Sequence, residues 1–203
     1  MSMTKLVYGQ FKRPTGLLGS VVGHLMALKN GRRGRWVVDL LEVQAGMRVL
    51  EIGSGPGVDA VRVVERLGPR GSYVGIDASD VMARQAGSRN RAAVRDGRAK
   101  FVVDDLAHGL DLESSTFDLA FSINCAQFWP DLAAGLKEIG RVVRSGGRIV
   151  VAVQPMRRDA TEDDSARWVE TFAAASDHVD VRVLEIARGA TTPSTVALVL
   201  EKL

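Results

Sequence analysis

The stretch Val49-Leu50-Glu51-Ile52-Gly53-Ser54-Gly55-Pro56-Gly57 decides the fold of this chain, because a short apolar run ends abruptly in a glycine-rich loop. Glycine suits positions where the backbone takes a positive φ or lies against a ligand. Residues 58–67 then repeat apolar side chains at helical spacing, and residues 72–77 are again an apolar run. In open α/β sheets, ligands bind at the carboxyl ends of such strands. The stretch therefore predicts a ligand-binding loop between a strand and a helix.

Strands and helices alternate on both sides of this loop. Strands are predicted at 48–52, 72–77, 100–103, 117–123 and 148–153, and helices at 35–43, 58–67, 80–95, 131–143 and 164–175. This alternation is typical of a parallel, doubly wound α/β sheet. The last two predicted strands, 181–186 and 195–200, are separated by too few residues for a helical crossover. We therefore expect them to form an antiparallel hairpin at the sheet edge.

The loop matches neither common phosphate-binding pattern. Val58 stands where a dinucleotide fingerprint needs its third glycine, and the Lys-Ser or Lys-Thr of a P-loop is absent. Glu51 would repel a pyrophosphate but suits a ligand that carries an ammonium or sulfonium group. Asp77 ends the second strand, the position from which an acid binds a ribose diol. The pattern indicates a cationic ligand with a nucleoside part.

Five motifs in register give the sequence a specific resemblance. They occupy 51–57, 75–82, 103–105, 117–124 and 136–147. Together they resemble the class I S-adenosylmethionine-dependent methyltransferases, in particular the broad methyltransferase type 11 group. The resemblance covers about residues 47–155. The resemblance implies a Rossmann-like, doubly wound, seven-stranded sheet that is mostly parallel with an antiparallel C-terminal hairpin strand. It also implies S-adenosyl-L-methionine as the cofactor.

The resemblance implies a set of cofactor-binding residues after the first four strands. In that family pattern, Asp77 accepts hydrogen bonds from both ribose hydroxyls, and Glu51 helps to hold the amino group. Asp105 would meet the adenine amino group, with Leu106 beside the ring, but Asp104 stands where the family often has glycine, which leaves the choice between the two acids open. Asn124 would lie near the sulfonium. The full set is Glu51, Gly53, Ser54, Gly55, Gly57, Asp77, Ala78, Met82, Asp104, Asp105, Leu106 and Asn124.

Three further residues are candidates for the chemistry of the acceptor. Methyl transfer is an in-line displacement, which needs a general base only if the nucleophile must lose a proton. His24, in a predicted N-terminal helix, and His108, after the third strand, are candidate bases, with a packing or surface role as the alternative for both. Trp129 is a candidate for the acceptor pocket, with a role in the core as its alternative.

Some conspicuous residues have a simpler structural interpretation. Gly57 can serve close packing of helix on strand as well as ligand binding. Glu138 and Arg141 stand three residues apart on a predicted helix. That spacing is typical of a surface ion pair, which is worth a few tenths of a kcal/mol.

Composition and charge exclude several classes of protein. The chain has 203 residues, 46% hydrophobic and 25% charged, which is typical of a globular domain and not of a disordered chain. A single cysteine excludes an intrachain disulfide and a cysteine-based metal cluster. No apolar run reaches the ~18 residues of a membrane span.

Positive charge is concentrated at the N-terminus. Residues 1–50 carry eight basic and two acidic side chains, a net charge of +6. The whole chain has a net charge of +3, so the remaining residues sum to −3. No aromatic residues are interleaved for base stacking, which argues against a nucleic-acid partner. We expect residues 1–45 to form a helical segment that covers the cofactor and acceptor site, and residues 46–203 to form the methyltransferase domain.

The sequence thus predicts a bacterial, cytoplasmic methyltransferase that acts on a small-molecule acceptor, without a metal or a membrane, as a monomer or homodimer. Two alternatives remain open. One is a non-catalytic S-adenosylmethionine-binding regulatory protein, and the other is an RNA or protein methyltransferase that uses the basic N-terminal segment. A nicotinamide-dependent enzyme is disfavoured by Val58 and Glu51.

Overall fold

A computed structural model describes residues 31–154, 162–177, 179–188 and 195–203 of the chain. The helices are α1 (Gly31–Leu40), α2 (Val58–Leu67), α3 (Asp80–Arg89), α4 (Arg91–Arg95), α5 (Leu132–Val142) and α6 (Glu162–Ser176). The strands are β1 (Arg48–Ile52), β2 (Ser72–Asp77), β3 (Ala99–Val103), β4 (Phe117–Ile123), β5 (Val143–Val153), β6 (Val181–Arg188) and β7 (Val196–Lys202). Short 3₁₀ turns span Leu106–His108 and Ala126–Phe128.

The seven strands form one sheet in the order β3-β2-β1-β4-β5-β7-β6. Strands β1 to β5 are parallel, and β7 is antiparallel to both β5 and β6. The predicted Rossmann-like sheet and its C-terminal hairpin are confirmed. The chain winds outward from β1 through β2 to β3 and returns to β4 on the other side of β1, which places a crevice at the carboxyl ends of β1 and β4.

Two apolar layers hold the helices on the sheet. On one face α1 and α2 pack against β1 and β4 through fully buried side chains such as Val38, Val63 and Phe121. On the other face α5 and α6 pack through Ile139 and Phe172. Burying a side chain of this size contributes about 1.5–3 kcal/mol. The two layers fix the strand ends, and with them the loops that follow each strand.

Three predicted elements differ from those observed. The helix expected at 80–95 is broken at Asn90, whose side-chain amide donates to Gly57 O at 3.0 Å and to Ala86 O at 2.9 Å. Strand β5 begins at Val143, five residues before the prediction of 148–153, because Val143 already pairs with Phe117 of β4 and residues 144–147 form an irregularity before Arg148 pairs with Leu119. The helix expected at 35–43 lies at Gly31–Leu40.

The predicted N-terminal segment is described only in part. Its described helix, α1, is integral to the domain, because Val37, Val38 and Leu41 are buried in the same layer as β1. The Arg66 guanidinium also donates to Val38 O at 2.6 Å. Residues 1–30, with the predicted amphipathic helix, lie outside the described residues, so the proposed cover of the site stays a prediction. No helix in the described ranges is long and apolar enough to span a bilayer.

Candidate functional site

The loop between β1 and α2 is shaped by three glycines with positive φ. Gly53, Gly55 and Gly57 have φ of +78°, +51° and +72°. The amides of Gly53 and Ser54 both donate to Ile76 O, at 2.8 and 2.9 Å, which ties the loop to β2. A Cβ on Gly55 would meet no atom within 4 Å. The backbone at Gly55 therefore faces open space at the end of β1.

The other two glycines are pressed against protein atoms. A Cβ on Gly53 would lie 2.5 Å from both Cβ and Sγ of Cys125. A Cβ on Gly57 would lie 2.7 Å from Ala86 Cα and 2.8 Å from Asn90 Nδ2. Both contacts are far inside van der Waals separation. At these positions, close packing requires glycine.

Asp77 ends β2 directly beside the glycine loop. Its Oδ2 accepts from the Gly55 amide at 2.8 Å, and its Oδ1 accepts from the Ser79 amide at 2.9 Å. Burial raises the pKa of the Asp77 carboxyl, and the two backbone hydrogen bonds offset part of that rise. Each oxygen keeps a second lone pair, so the carboxylate can still accept from two hydroxyl groups of a ligand.

Glu51 is a buried carboxyl on the wall of the same cleft. It is 3% exposed, and the Tyr73 hydroxyl donates to its Oε2. Burial, with the nearby charges of Asp59 and Asp77, raises the pKa of Glu51 well above its ordinary value, although the Tyr73 hydrogen bond lowers it. A cationic group in the cleft would reverse this effect by favouring the ionised carboxylate.

The turn after β3 forms a second wall. Asp105 caps the 3₁₀ turn, because its Oδ1 accepts from the Ala107 amide at 3.1 Å. Asp104 Oδ1 accepts from the Asp105 amide at 2.8 Å. Leu106 is buried, and so is Met82 on α3. Both acids line the cleft, so the choice between Asp104 and Asp105 as the partner of an adenine ring stays open.

The segment after β4 forms the third wall. Asn124 has φ of +54°, and its Oδ1 accepts from the Gln154 amide at 2.9 Å, which joins the ends of β4 and β5. Burial raises the pKa of the Cys125 thiol to about 12, so the thiol stays protonated. Trp129 follows and lies over Gly135 of α5, where a Cβ would come within 2.8 Å of the indole ring.

These walls enclose a cavity of about 200 Å³ at the carboxyl ends of β1, β2 and β4. Nearly all of the cofactor-binding residues expected from the sequence line it, as does the acceptor candidate Trp129. They are Glu51, Gly53, Ser54, Gly55, Asp77, Ala78, Met82, Asp104, Asp105, Leu106 and Asn124. Ser54 Oγ is buried there without a hydrogen-bond partner.

Two of the predicted residues are not brought to the cavity. Gly57 lies behind the loop, packed against α3, and is not among the lining residues. The His108 side chain is 83% exposed, and its Nδ1 lies 3.8 Å from Asp105 Oδ2 on the outside of the turn. The geometry therefore does not place His108 as a base at this site. His24 lies outside the described residues.

Sequence reasoning missed several residues that build the site. Tyr73 holds Glu51 from the neighbouring strand, and Asn90 holds the carbonyl of Gly57 from α3. Gly135 lets Leu106 and Trp129 approach the same helix, since a Cβ there would lie 3.2 Å from Leu106 Cδ2. These residues act through tertiary contacts, and nothing in their local sequence signals them. No group of His, Cys, Asp and Glu in the described ranges has the arrangement of a metal site.

Comparisons with known proteins agree with this geometry. A family model described as "Methyltransferase domain" matches residues 49–147. The methyltransferase YdaC of Bacillus subtilis is 26% identical over 171 residues, which cover 82% of this chain and 91% of YdaC. Nocamycin O-methyltransferase of Saccharothrix syringae is 32% identical over 117 residues, covering 57% of this chain and 40% of that protein. A solved structure of an S-adenosylmethionine-dependent methyltransferase from Aquifex aeolicus has a TM-score of 0.71 at 16% identity, covering 84% of this chain and 89% of that one.

The sheet order and the glycine loop, taken together with the family model and the curated relatives, identify a class I S-adenosylmethionine-dependent methyltransferase. Residues 49–147 match the methyltransferase family model, and the cofactor of the chain is S-adenosylmethionine. The residues present fit that cofactor. Open space over the Gly55 backbone admits the methionine part, the Asp77 carboxylate suits a ribose diol, and the partnerless Ser54 hydroxyl offers a hydrogen bond.

Proposed function

We propose that this methyltransferase transfers the methyl group to a small-molecule acceptor by in-line displacement. The observation that carries the proposal is the lining of the cleft. Beside the polar residues that match the cofactor, it includes the largely apolar run Phe128-Trp129-Pro130. The relative Nocamycin O-methyltransferase, whose name specifies methylation of nocamycin, supports an acceptor of this class.

The chain's own residues would act by alignment. Bound S-adenosylmethionine supplies a methyl group that the sulfonium already activates, so orientation and exclusion of water are the main tasks left to the protein. Asp77 would fix the ribose, and the backbone of the glycine loop would fix the methionine part. Glu51, beside them, would face the positive charge of the amino group. The aromatic wall would keep water from the acceptor side.

Proton removal depends on the nucleophile. Many amines and thiols need no base, whereas an oxygen nucleophile usually does. No histidine is found among the described residues that line the cleft. His24, in the N-terminal segment proposed to cover the site, stays the candidate base for an oxygen acceptor. The monomeric or homodimeric state and the cytoplasmic location stay predictions as well.

The test is transfer of a radiolabelled methyl group from S-adenosylmethionine to a cell extract of the source organism, followed by separation into small-molecule, protein and RNA fractions. We expect the label in the small-molecule fraction. Label that protease or ribonuclease releases would overturn the small-molecule proposal. Tight cofactor binding without transfer to any fraction would instead support the non-catalytic alternative. The variant Asp77→Ala, which should bind the cofactor weakly, is the negative control.

A further inference from the structure

The loop that leads from the turn Leu106–His108 to β4 is held by one carboxylate of α5. Glu138 Oε1 accepts a hydrogen bond from the Leu110 amide at 2.8 Å. The same oxygen is the nearest atom to the position that a Cβ on Gly109 would take, at 4.0 Å. The carboxylate of Glu138 thus lies next to residues 109 and 110.

Arg141, one helical turn further along α5, holds the rest of the loop. Its Nη2 donates to Leu110 O at 3.0 Å, and its Nη1 donates to Leu112 O at 2.8 Å and to Ser114 Oγ at 3.1 Å. The guanidinium also binds both oxygens of Glu138, with Nε to Oε2 at 3.0 Å and Nη2 to Oε1 at 2.6 Å. A single side chain therefore fixes residues 110, 112 and 114.

This arrangement corrects the expectation of a simple surface pair. The side chains of Arg141 and Glu138 are only 37% and 20% exposed, and their contact is bidentate. The Arg141 hydrogen bonds, with help from the Leu110 amide, lower the pKa of Glu138 despite its partial burial. Bidentate, charge-assisted pairs of this kind give geometric specificity that a flexible surface pair lacks.

The loop continues without a break into the wall of the cofactor cleft. The Gly109 amide donates to Leu106 O at 3.2 Å, and the His108 amide donates to Asp105 O at 3.0 Å. Asp105 and Leu106 both line the cleft, and Leu106 packs on Gly135 of α5. The helix that carries the ion pair therefore also supports the turn directly.

We propose that Glu138 and Arg141 are positioning residues for the adenine side of the cleft. By fixing residues 110–114 from α5, they hold the turn whose Asp105 and Leu106 line the cleft, and of the two acids there the proposal takes Asp105 as the partner of the adenine amino group. The proposal deepens the function proposed above, and it rests on the cofactor being S-adenosylmethionine. It does not depend on the identity of the acceptor.

The test compares two ligands that differ only at the adenine ring. S-adenosylhomocysteine carries the exocyclic amino group, and S-inosylhomocysteine has an oxygen in its place. We expect the wild-type protein to prefer S-adenosylhomocysteine by roughly tenfold, about the size of one hydrogen bond. In Arg141→Gln, calorimetry should give about tenfold weaker binding of S-adenosylhomocysteine and little change for S-inosylhomocysteine, since the misplaced turn no longer reads the amino group.

A purely structural role predicts a different result. Both ligands would then weaken by the same factor and the preference would stay as in the wild-type protein, which would overturn the proposal. Unchanged affinity for both ligands would overturn it too. If the wild-type protein bound neither ligand, the cofactor assignment itself would fail, and with it the function proposed above.

Two further variants keep the test decisive. Arg144→Gln is the matched control, because Arg144 also pairs with a carboxylate, Asp118, through Nε at 2.7 Å, but at the opposite end of β4. It should leave the binding of both ligands unchanged. If Arg141→Gln does not fold, Glu138→Gln replaces it, because the amide can still accept from Leu110 while the ion pair is lost. The same fall in preference is then expected.

Discussion

Replacing Asp77 with alanine should weaken cofactor binding without unfolding the protein. In the free protein, the carboxylate accepts two backbone hydrogen bonds, from Gly55 and from Ser79. Each of its oxygens retains a lone pair directed to a partner other than those amides. The variant therefore removes both the acceptors for the ribose and a tie between β2 and the glycine loop.

The size of the effect follows from the number and kind of bonds lost. Hydrogen bonds to a charged group contribute about 1.5–3 kcal/mol each. The ribose hydroxyls give up hydrogen bonds to water when they bind to Asp77, so each new bond contributes only part of its full strength. The net loss on binding should thus be nearer to one such bond than to two. That corresponds to a dissociation constant about 10- to 100-fold higher for Asp77→Ala.

Calorimetry with S-adenosylhomocysteine measures this change directly. The matched control is Asp80→Ala, three residues further on, where an exposed carboxylate pairs with Arg84 on the helix surface. The control should bind within about twofold of the wild-type protein, since exposed i,i+4 pairs contribute only a few tenths of a kcal/mol. If Asp77→Ala is folded by circular dichroism and binds as tightly as the control, Asp77 is not a cofactor ligand.

Three further predictions concern the walls of the cleft. Burial raises the pKa of Glu51 in the folded protein well above 4.5, its ordinary value. As pH rises from about 4.5 to the raised pKa, the unfolded protein ionises Glu51 more readily than the folded one, and the wild-type protein loses stability. Urea unfolding should therefore show Glu51→Gln gaining stability relative to the wild-type protein over that rise, whereas exposed Glu65→Gln should show no such trend. Gly53→Ala should lower the unfolding free energy by ~1–3 kcal/mol from its positive φ, and by more because the new Cβ would lie 2.5 Å from Cys125. Adding Cys125→Gly should recover the loss due to the clash but not the loss due to φ. Trp129→Leu should raise KM for the acceptor while the calorimetric affinity for S-adenosylhomocysteine stays near wild type; an equal loss of both would assign Trp129 to the core.

The sequence was sufficient where local chemistry determines structure. Alternating apolar runs gave the sheet, and the short final connection gave the antiparallel hairpin, because both depend on chain length and pattern alone. The position of Asp77 in the cleft could be expected, because the carboxyl end of a parallel strand is where such a sheet binds ligands. Tyr73, Asn90 and Arg141 could not be assigned in this way, since each binds residues between 22 and 33 positions away in sequence. Only the packed fold brings them to the loops that they hold.

The glycine loop shows how one sequence pattern can conceal separate physical causes. All three glycines have positive φ, so the pattern treats them alike. A side chain on Gly53 would collide with Cys125, and one on Gly57 would collide with α3. Only at Gly55 would a side chain enter open space in the cleft. Two of the three glycines are therefore required by the packing of the protein against itself, and substitution there should affect stability first. At Gly55 no protein atom requires glycine, and we expect a substitution there to affect cofactor binding beyond the strain of its backbone.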